Sequence, residues 1–422
     1  MRENFLHYVW GFKKFELLHL QTAQFQSLRV VSVGTYNENS GPDFFNAKLR
    51  IDNQLWAGNV EIHIKSSDWY AHRHDHDDTY DNVILHVVYE HDADVFRKDG
   101  SIIPTLVLKP YIHKNVYLNY QRLFARTKSW ILCETDFASV DDFVLKHWLE
   151  RLYFERLEQK AKHIKTSLKA TNKNWEAVLF MMLAKNFGLK VNGDAFFSMA
   201  KSFDFKIVQK LHNQKDIEAL FFGQAGLLET ENQNVYYKEL QETYKFLKQK
   251  FQLNNSNIIP LQFFRLRPLN FPTIRLSQLA ALYIKEFNLF SKIIEINTLE
   301  GFYDIFQVEV SEFWKSHYTF AKLSPPRTKV LTKSFIDLLL INTILPIQFC
   351  YKKEHGKLIE DDLMVIISKI NSEENTIIKK YNAIKKISTS AMHSQALIQL
   401  KTKYCDKHQC LKCAIGNTLL NR

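Results

Sequence analysis

Glycine and proline are scarce in this chain, with 12 and 9 occurrences in 422 residues. Both residues concentrate in turns and loops, so their scarcity argues against a loop-rich β-sandwich and favours long helices. Cysteine is scarce as well, since five thiols in a chain of this size do not make the disulfide framework of a small secreted domain. The composition therefore predicts a globular protein that is rich in helix.

A long uninterrupted apolar run is also missing. A membrane span needs about 20 mostly apolar residues, but the most apolar stretch, FIDLLLINTILPIQFCY, contains Asp337, Asn342, Pro346 and Gln348. This stretch predicts a buried helix. The amino-terminal MRENFLHYVWGFKK lacks a basic leader followed by an apolar core, which is the pattern of a secretory signal. We expect a cytoplasmic protein that does not span a membrane.

The positive charge is unevenly distributed. The formal net charge is +11. Residues 1–130 contain 15 Lys and Arg and 15 Asp and Glu, so the entire excess lies in the remainder. A basic second part suits a polyanionic partner such as nucleic acid. The alternative is a charge that serves solubility alone.

Two periodicities divide the sequence. Up to about residue 128, behind a short amino-terminal helix, apolar residues alternate with the period of two that is typical of strands. From about residue 139 they recur with the helical period. The length also predicts more than one domain. We predict an α+β protein with a mixed-sheet domain over 1–128 and a basic all-α domain over 129–422.

One predicted strand carries a row of ionisable side chains. In GNVEIHIKSSDW, Glu61, His63 and Lys65 occupy alternate positions and so share one face. A hairpin turning at residues 52–54 would place Asp43 directly opposite His63. The two carboxylates could bind Mg²⁺ or Mn²⁺, and Lys65 or His63 could orient the attacking water. The alternative is an ordinary half-exposed strand face.

The literal Pro42–Asp43, followed by Glu61 and Lys65, resembles the motif of the PD-(D/E)xK nuclease superfamily. The resemblance implies a restriction-endonuclease-like fold, in which helices flank a mixed sheet. It also implies that Asp43 and Glu61 bind a catalytic metal and that the substrate is DNA or RNA. The motif has its basic residue two places after the Glu, and this sequence has His63 there.

A second resemblance covers nearly the whole chain. The stretches that carry it are GPDF, GNVEIHIKSSDWYAHRH, NVILHVVYEHD, EALFFGQAGLL, RLRPLNFPTIRLSQLA and the terminal YCDKHQCLKCAIG. In these stretches the chain is similar to an uncharacterised bacterial family, domain of unknown function 2851. That family has no assigned reaction, so this resemblance implies membership and no activity.

Further histidines surround the same strand. His72, His74 and His76 alternate in SSDWYAHRHDHDD, where they could bind a transition metal or be solvated in a polar loop. His86 lies in the apolar run NVILHVVYEH. It is either a hydrogen-bonded core histidine or a part of the same cleft.

Basic residues of the second domain are candidates for phosphate binding. The candidates are Arg265, Arg267, Arg275, Arg327 and Lys329. They lie beside prolines that precede predicted helices, and both guanidinium groups and helix amino termini bind phosphate oxygens well. The alternative is a rigid corner in which the arginines pair with local acids.

The carboxyl-terminal KYCDKHQCLKCAIG contains a second set of potential ligands. They are Cys405, His408, Cys410 and Cys413. Three thiolates and an imidazole could form a structural zinc site, and Cys133 or Cys350 could supply a fourth thiolate if the fold brings it near. The resemblance to the nuclease superfamily leaves an iron–sulfur centre open as well, because some of its members hold one with one distant and three clustered cysteines. The remaining alternative is a set of reduced thiols.

Three functions are consistent with these patterns. The first is a metal-dependent nuclease that uses Asp43, Glu61 and either His63 or Lys65. The second is a nucleic-acid-binding protein that keeps the nuclease fold without activity. The third is a metalloenzyme of other chemistry built on the alternating histidines.

Overall fold

The computed structural model describes residues 1–357 and 360–422. Within them the chain forms two compact units, which we name the sheet unit and the helical unit. The sheet unit comprises residues 1–148, 383–385 and 400–422, and the helical unit comprises residues 149–382 and 386–399. The predicted α+β class is confirmed, with an amino-terminal mixed sheet and a large helical part.

The carboxyl-terminal segment belongs to the sheet unit, whereas the sequence analysis assigned every residue after 128 to one helical domain. The Tyr8 hydroxyl donates a hydrogen bond of 2.7 Å to Asn417. The Asn119 amide donates one of 3.0 Å to the carbonyl of Arg422. Periodicity shows that a segment is helical, but it does not show which distant segment the helix packs against.

A seven-stranded mixed sheet organises the sheet unit. Its strands are β1 Leu20–Gln21, β2 Ser27–Ser32, β3 Thr35–Tyr36, β4 Phe44–Ile51, β5 Gln54–Lys65, β6 Val83–Glu90 and β7 Thr105–Val107. The order is β1-β2-β4-β5-β6-β7, and β3 also pairs with β4. The pairing is antiparallel up to β5, whereas β5, β6 and β7 run parallel.

Helices precede, interrupt and follow this sheet. They are α1 Glu3–Gly11, α2 Asp68–Ala71, α3 Lys114–Phe124 and the start of α4 Asp142–Ala170. Parallel neighbours cannot be joined by a tight turn, so the chain crosses from β5 to β6 through residues 66–82. β6 is almost wholly apolar and buried, as is typical of a strand covered on both faces.

The helical unit continues α4 and adds fourteen further α-helices and a two-stranded hairpin among the described residues. The helices are α5 Trp175–Phe187, α6 Leu189–Lys201, α7 Lys206–Gln209, α8 Gln214–Gln224, α9 Val235–Phe251, α10 Pro272–Lys285, α11 Leu289–Glu295, α12 Leu299–Ile305, α13 Glu312–Lys315, α14 Lys333–Leu339, α15 Leu345–Glu354, α16 Glu360–Lys369, α17 Thr376–Ile384 and α18 Ala391–Gln399. The hairpin strands are β8 His317–Thr319 and β9 Lys322–Leu323. A last helix, α19 Ala414–Leu420, belongs to the sheet unit.

The most apolar stretch is a buried helix, as predicted. α14, the π-helical turn Leu340–Ile344 and α15 form one helical run over Lys333–Glu354. By length and composition this run could cross a membrane, but 72% of its most apolar window is buried inside the protein. Pro346 lacks an N–H and so breaks the regular hydrogen-bond pattern, which accounts for the π-helical turn just before it.

Candidate metal centre

The hairpin of β4 and β5 differs from its predicted register. Ile51 pairs with Gln54, so the turn contains two residues rather than three. Further along, a bulge shifts the register before Phe44 pairs with Val60, and Asn46 adopts a left-handed conformation there, with φ of 57°. The bulge carries the residue before Phe44 to a position next to Glu61. The predicted pairing of Asp43 with His63 is therefore wrong.

Asp43 and Glu61 are joined through the backbone. The N–H of Asp43 donates to Glu61 Oε2 at 3.1 Å, and Asp43 Oδ2 accepts from the N–H of Ile62 at 3.0 Å. His7 of α1 adds a third partner, with its Nε2 3.1 Å from Asp43 Oδ2. Glu61 Oε2 is thereby fixed, and Oε1 is directed towards a group of imidazoles.

Two imidazoles face Glu61 Oε1, and a third adjoins them. The Nε2 atoms of His74 and His63 lie 3.3 and 3.6 Å from it. His63 Nε2 is also 3.1 Å from His72 Nδ1. Among the described residues, His63, His72 and His74 form the one group of three potential ligands whose ligand atoms all lie within 4.8 Å of one another. We call these three residues and Glu61 the histidine cluster.

The spacing of the histidine cluster fits a divalent transition metal. Around an ion with nitrogen and oxygen ligands at about 2.1 Å, neighbouring ligand atoms lie about 3.0–3.4 Å apart. The contacts of His74 and His63 with Glu61, at 3.3 and 3.6 Å, are long for hydrogen bonds. His74 Nε2 is also buried without a hydrogen-bond partner among the described residues. A cation bound between these atoms would satisfy them all.

A second layer orients the ligands. β6 lies beside β5, and His86 pairs in register with Glu61. His86 Nε2 is 2.8 Å from His63 Nδ1, so His63 can keep its proton on Nδ1 and present Nε2 to the cluster. Tyr80 stacks on His74 with 3.8 Å between ring centroids, and Trp69 packs against its edge. These contacts hold the imidazoles in place.

Burial sets the charge states of the cluster. Burial, and then the neighbouring His86, lower the pKa of His63 to about 2. Burial lowers the pKa of His86 to about 3. Burial, and then the Asp43 carboxylate, raise the pKa of Glu61 well above its usual range. At neutral pH both imidazoles are therefore neutral, which is the form that binds metals.

Comparison with known proteins identifies the family of the chain. The family DUF2851, described as a protein of unknown function, matches residues 3–376. The chain belongs to the DUF2851 family. No curated protein and no solved structure matches the chain. The predicted family membership is confirmed, and the function has to be argued from the site.

Two residues expected near this site lie elsewhere. Lys65 is exposed at the end of β5, and no hydrogen bond or ion pair joins it to Asp43 or Glu61 among the residues that the structure describes. His76 is 80% exposed and contacts Asp75. Strand alternation placed Lys65 on the same face as Glu61, but the strand leaves the buried part of the sheet before it reaches Lys65.

Sequence reasoning missed His7 and assigned His86 no definite role. His7 is half-buried on α1 and reaches the carboxylate of Asp43 outside that helix. A single histidine in an amphipathic helix gives no signal of this contact. For His86 the signal existed, because a polar residue in an otherwise apolar central strand needs a buried partner.

The predicted phosphate-binding residues divide into two groups. Arg265, Arg267 and Arg327 are exposed. Arg275 and Lys329 are buried. Their buried positions do not suit binding of a surface ligand.

Both buried cations are used inside the helical unit. Arg275 donates to Gln278 at 2.9 Å and to Asn270 at 2.6 Å. Lys329 donates to the carbonyls of Trp314 and His317. The hydrogen-bond partners of Arg275 and Lys329 are thus amide and carbonyl oxygens inside the protein, and not the local acids of the alternative interpretation.

The carboxyl-terminal cysteines lie in the sheet unit. Cys405, Cys410 and Cys413 line one small cavity together with Cys133. His408, predicted as a ligand beside them, is exposed and does not line this cavity.

Replacing His86 by phenylalanine should weaken metal binding at the histidine cluster about 10–100-fold, because His63 would lose the partner that fixes its proton and its ring. The affinity for Mn²⁺, measured by calorimetry, checks this. The His91→Phe variant is a matched control, since His91 contacts Asp94 outside the cluster. Equal affinities of the two variants would show that His86 has no orienting role.

Proposed function

We propose that this chain is a metal-dependent hydrolase of phosphodiester bonds in DNA or RNA. The observation that carries the proposal is the grouping of three imidazoles, those of His63, His72 and His74, beside a buried carboxylate. The Nε2 atoms of His63 and His74 face Glu61 Oε1. Four such ligands suit Mn²⁺ or another transition metal better than Mg²⁺, because imidazole binds Mg²⁺ poorly.

Each residue of the site has a distinct task in this proposal. Glu61, His63 and His74 hold the cation from within the sheet unit, and His72, which is exposed, leaves one side open to a substrate. A bound divalent cation supplies an acidic water and neutralises charge on a phosphate. Asp43 fixes Glu61 through its N–H and holds His7 close to the site. His7 is then a candidate proton carrier.

The choice of a phosphodiester rests on the sequence. Pro42–Asp43 and Glu61 resemble the PD-(D/E)xK motif, and a hydrogen bond joins Asp43, directly before β4, to Glu61 of the antiparallel strand β5. A restriction-endonuclease-like core in a cytoplasmic protein is part of the same proposal. The whole positive excess lies after residue 130, which suits a polyanionic substrate.

Cleavage assays on metal-free protein reloaded with Mn²⁺ or Mg²⁺ test this function. The substrates are single- and double-stranded DNA and RNA, together with a chromogenic phosphodiester. We expect hydrolysis that requires the cation and that falls more than about 100-fold in Glu61→Gln, which removes a ligand. Lys65→Ala is the matched control and should retain the activity of the unmodified chain.

Two results would contradict the proposal. Stoichiometric metal binding without cleavage of any of these substrates would exclude a nuclease and leave a metalloenzyme of other chemistry. Salt-sensitive nucleic-acid binding that does not depend on divalent cations would instead identify a non-catalytic binding protein.

The affinity for Mn²⁺ should rise with pH across the neutral range. The raised pKa of Glu61 means that the metal-free site carries a proton that the cation must displace. His63 is already neutral and releases no proton. We expect release of about one proton per ion and up to about a tenfold gain in affinity per pH unit. Calorimetry in buffers of different ionisation enthalpy measures both, and a pH-independent affinity would contradict this charge assignment.

A further inference from the structure

Four of the five cysteines line one cavity in the sheet unit. They are Cys133, Cys405, Cys410 and Cys413. The cavity has a volume of about 10 Å³, which is enough for one atom-sized occupant. Its remaining lining is contributed mainly by apolar and aromatic side chains. The structure contains no disulfide among the described residues, so these thiols are brought together without being bonded to one another.

Separate elements position the four sulfurs. Cys405 ends the π-helical turn Leu400–Cys405, and such turns are frequent at functional sites. Cys410 begins a 3₁₀ turn, and Cys413 directly precedes α19. Cys133 comes from the distant segment between α3 and α4. The chain therefore closes around the cavity from two regions far apart in sequence.

The backbone near Cys413 is arranged as it is around thiolate ligands. Burial raises the pKa of the Cys413 thiol, and the N–H groups of Gly416 and Ile415, which are directed at its sulfur, offset this rise in part. A side chain at Gly416 would lie 2.1 Å from the carbonyl oxygen of Cys410, so glycine is required for this close approach. N–H donors directed at a sulfur stabilise the charged thiolate over the neutral thiol.

The remaining cysteine provides a contrast. Cys350 is buried in the helical unit, where its Sγ lies 3.9 Å from the carbonyl oxygen of Ala161. It does not line the cavity. A buried cysteine on its own behaves as a small apolar residue, whereas four cysteines around one cavity match the ligand set of a soft metal.

We propose that Cys133, Cys405, Cys410 and Cys413 hold a metal centre with four thiolate ligands, either a zinc ion or an iron–sulfur cluster. This site is independent of the histidine cluster and of the proposed hydrolase activity. It replaces the predicted ligand His408 by Cys133. Its role is structural, because four protein ligands leave no open position on a tetrahedral ion.

Two features of the cavity bear on the choice between a zinc ion and an iron–sulfur cluster. The small cavity volume suits a single zinc ion. No three of the four sulfurs lie within 4.8 Å of one another among the described residues, although sulfurs around one zinc ion are about 3.8 Å apart. Zinc would therefore draw the sulfurs inwards, whereas a cluster of several iron atoms would accept a wider spacing.

Metal and sulfide analysis of the full chain, purified without oxygen, tests the proposal. We expect one zinc per chain or iron with acid-labile sulfide. Visible absorption assigns the ligands, through an iron–sulfur band or through a thiolate charge-transfer band after Co²⁺ replaces zinc. This band distinguishes the site from the histidine cluster, which contains no sulfur. The Glu61→Gln variant should keep it.

Two pairs of variants test the ligand set. In Cys133→Ser the thiolate band should disappear and the metal content should fall at least about tenfold. In Cys350→Ser both the band and the metal content should be unchanged. His408→Ala should also retain the metal. If Cys133→Ser does not fold, stripping metal from the unmodified chain with a chelator and restoring the band with Co²⁺ gives the same information. Unmodified protein with no thiolate-bound metal, or loss of the metal in His408→Ala alone, would overturn the proposal.

Discussion

Replacing His63 by alanine should lower the affinity for Mn²⁺ by more than about 100-fold and abolish metal-dependent cleavage. Loss of an orienting partner alone typically costs about 10–100-fold, and His63 is a ligand in our assignment. Its Nε2 faces both Glu61 and His72, at 3.6 and 3.1 Å. Calorimetry with Mn²⁺ and the cleavage assay on the same preparation measure the two effects.

His76→Ala is the matched control for this prediction. His76 belongs to the same alternating run of histidines, but its side chain is 80% exposed, outside the histidine cluster. We expect unchanged metal affinity and cleavage in this variant. A comparable loss in His76→Ala and His63→Ala would mean that His76 also binds the ion and that the ligand set assigned to the histidine cluster is wrong.

Replacing Glu218 by alanine should lower the free energy of unfolding by about 3–5 kcal/mol. Glu218 of α8 is fully buried and accepts hydrogen bonds from five side chains. The donors are Ser277 at 2.6 Å, Tyr236 at 2.5 Å, and Gln214, Ser311 and Trp314 at 3.2 Å each. Each buried donor that loses its partner costs about 1–3 kcal/mol.

Urea denaturation followed by tryptophan fluorescence measures this loss of stability. Glu239→Ala is the control, because Glu239 is 45% exposed and its ion pair with Lys215 lies at the surface. Such a pair contributes at most about 1 kcal/mol. Similar stabilities of the Glu218 and Glu239 variants would show that the donors around Glu218 find other partners.

The sequence predicted the elements of the site better than their pairing. Alternation in GNVEIHIK showed that Glu61 and His63 share a strand face, and the structure places both on β5 near one another. The register predicted between β4 and β5 was wrong, because a bulge at Asn46 shifts it. Such a bulge depends on the local backbone conformation, which the amino-acid composition of the strand does not reveal. Asp43 therefore meets Glu61 instead of His63.

Contacts between distant segments could not be predicted from periodicity. His86 meets His63 because β5 and β6 are parallel neighbours, and one sequence does not specify strand order. Cys133 joins the terminal cysteines for a similar reason. Arg275 shows the opposite error, since its position beside prolines suggested a phosphate site, whereas its guanidinium is buried 3.7 Å from the ring centroid of Phe335.

The sheet unit is assembled from segments far apart in the sequence, and this affects the order in which its two proposed metal sites can form during synthesis. Residues 1–148 leave the ribosome first, but the unit also contains residues 400–422, which are synthesised after the helical unit. The histidine cluster comes from a short stretch, 61–74, so its loop-closure entropy is small and it can form early. The four-cysteine cavity must wait for the last segment to arrive. If both proposed metals bind, a nascent chain would acquire the one at the histidine cluster long before the one at the four cysteines.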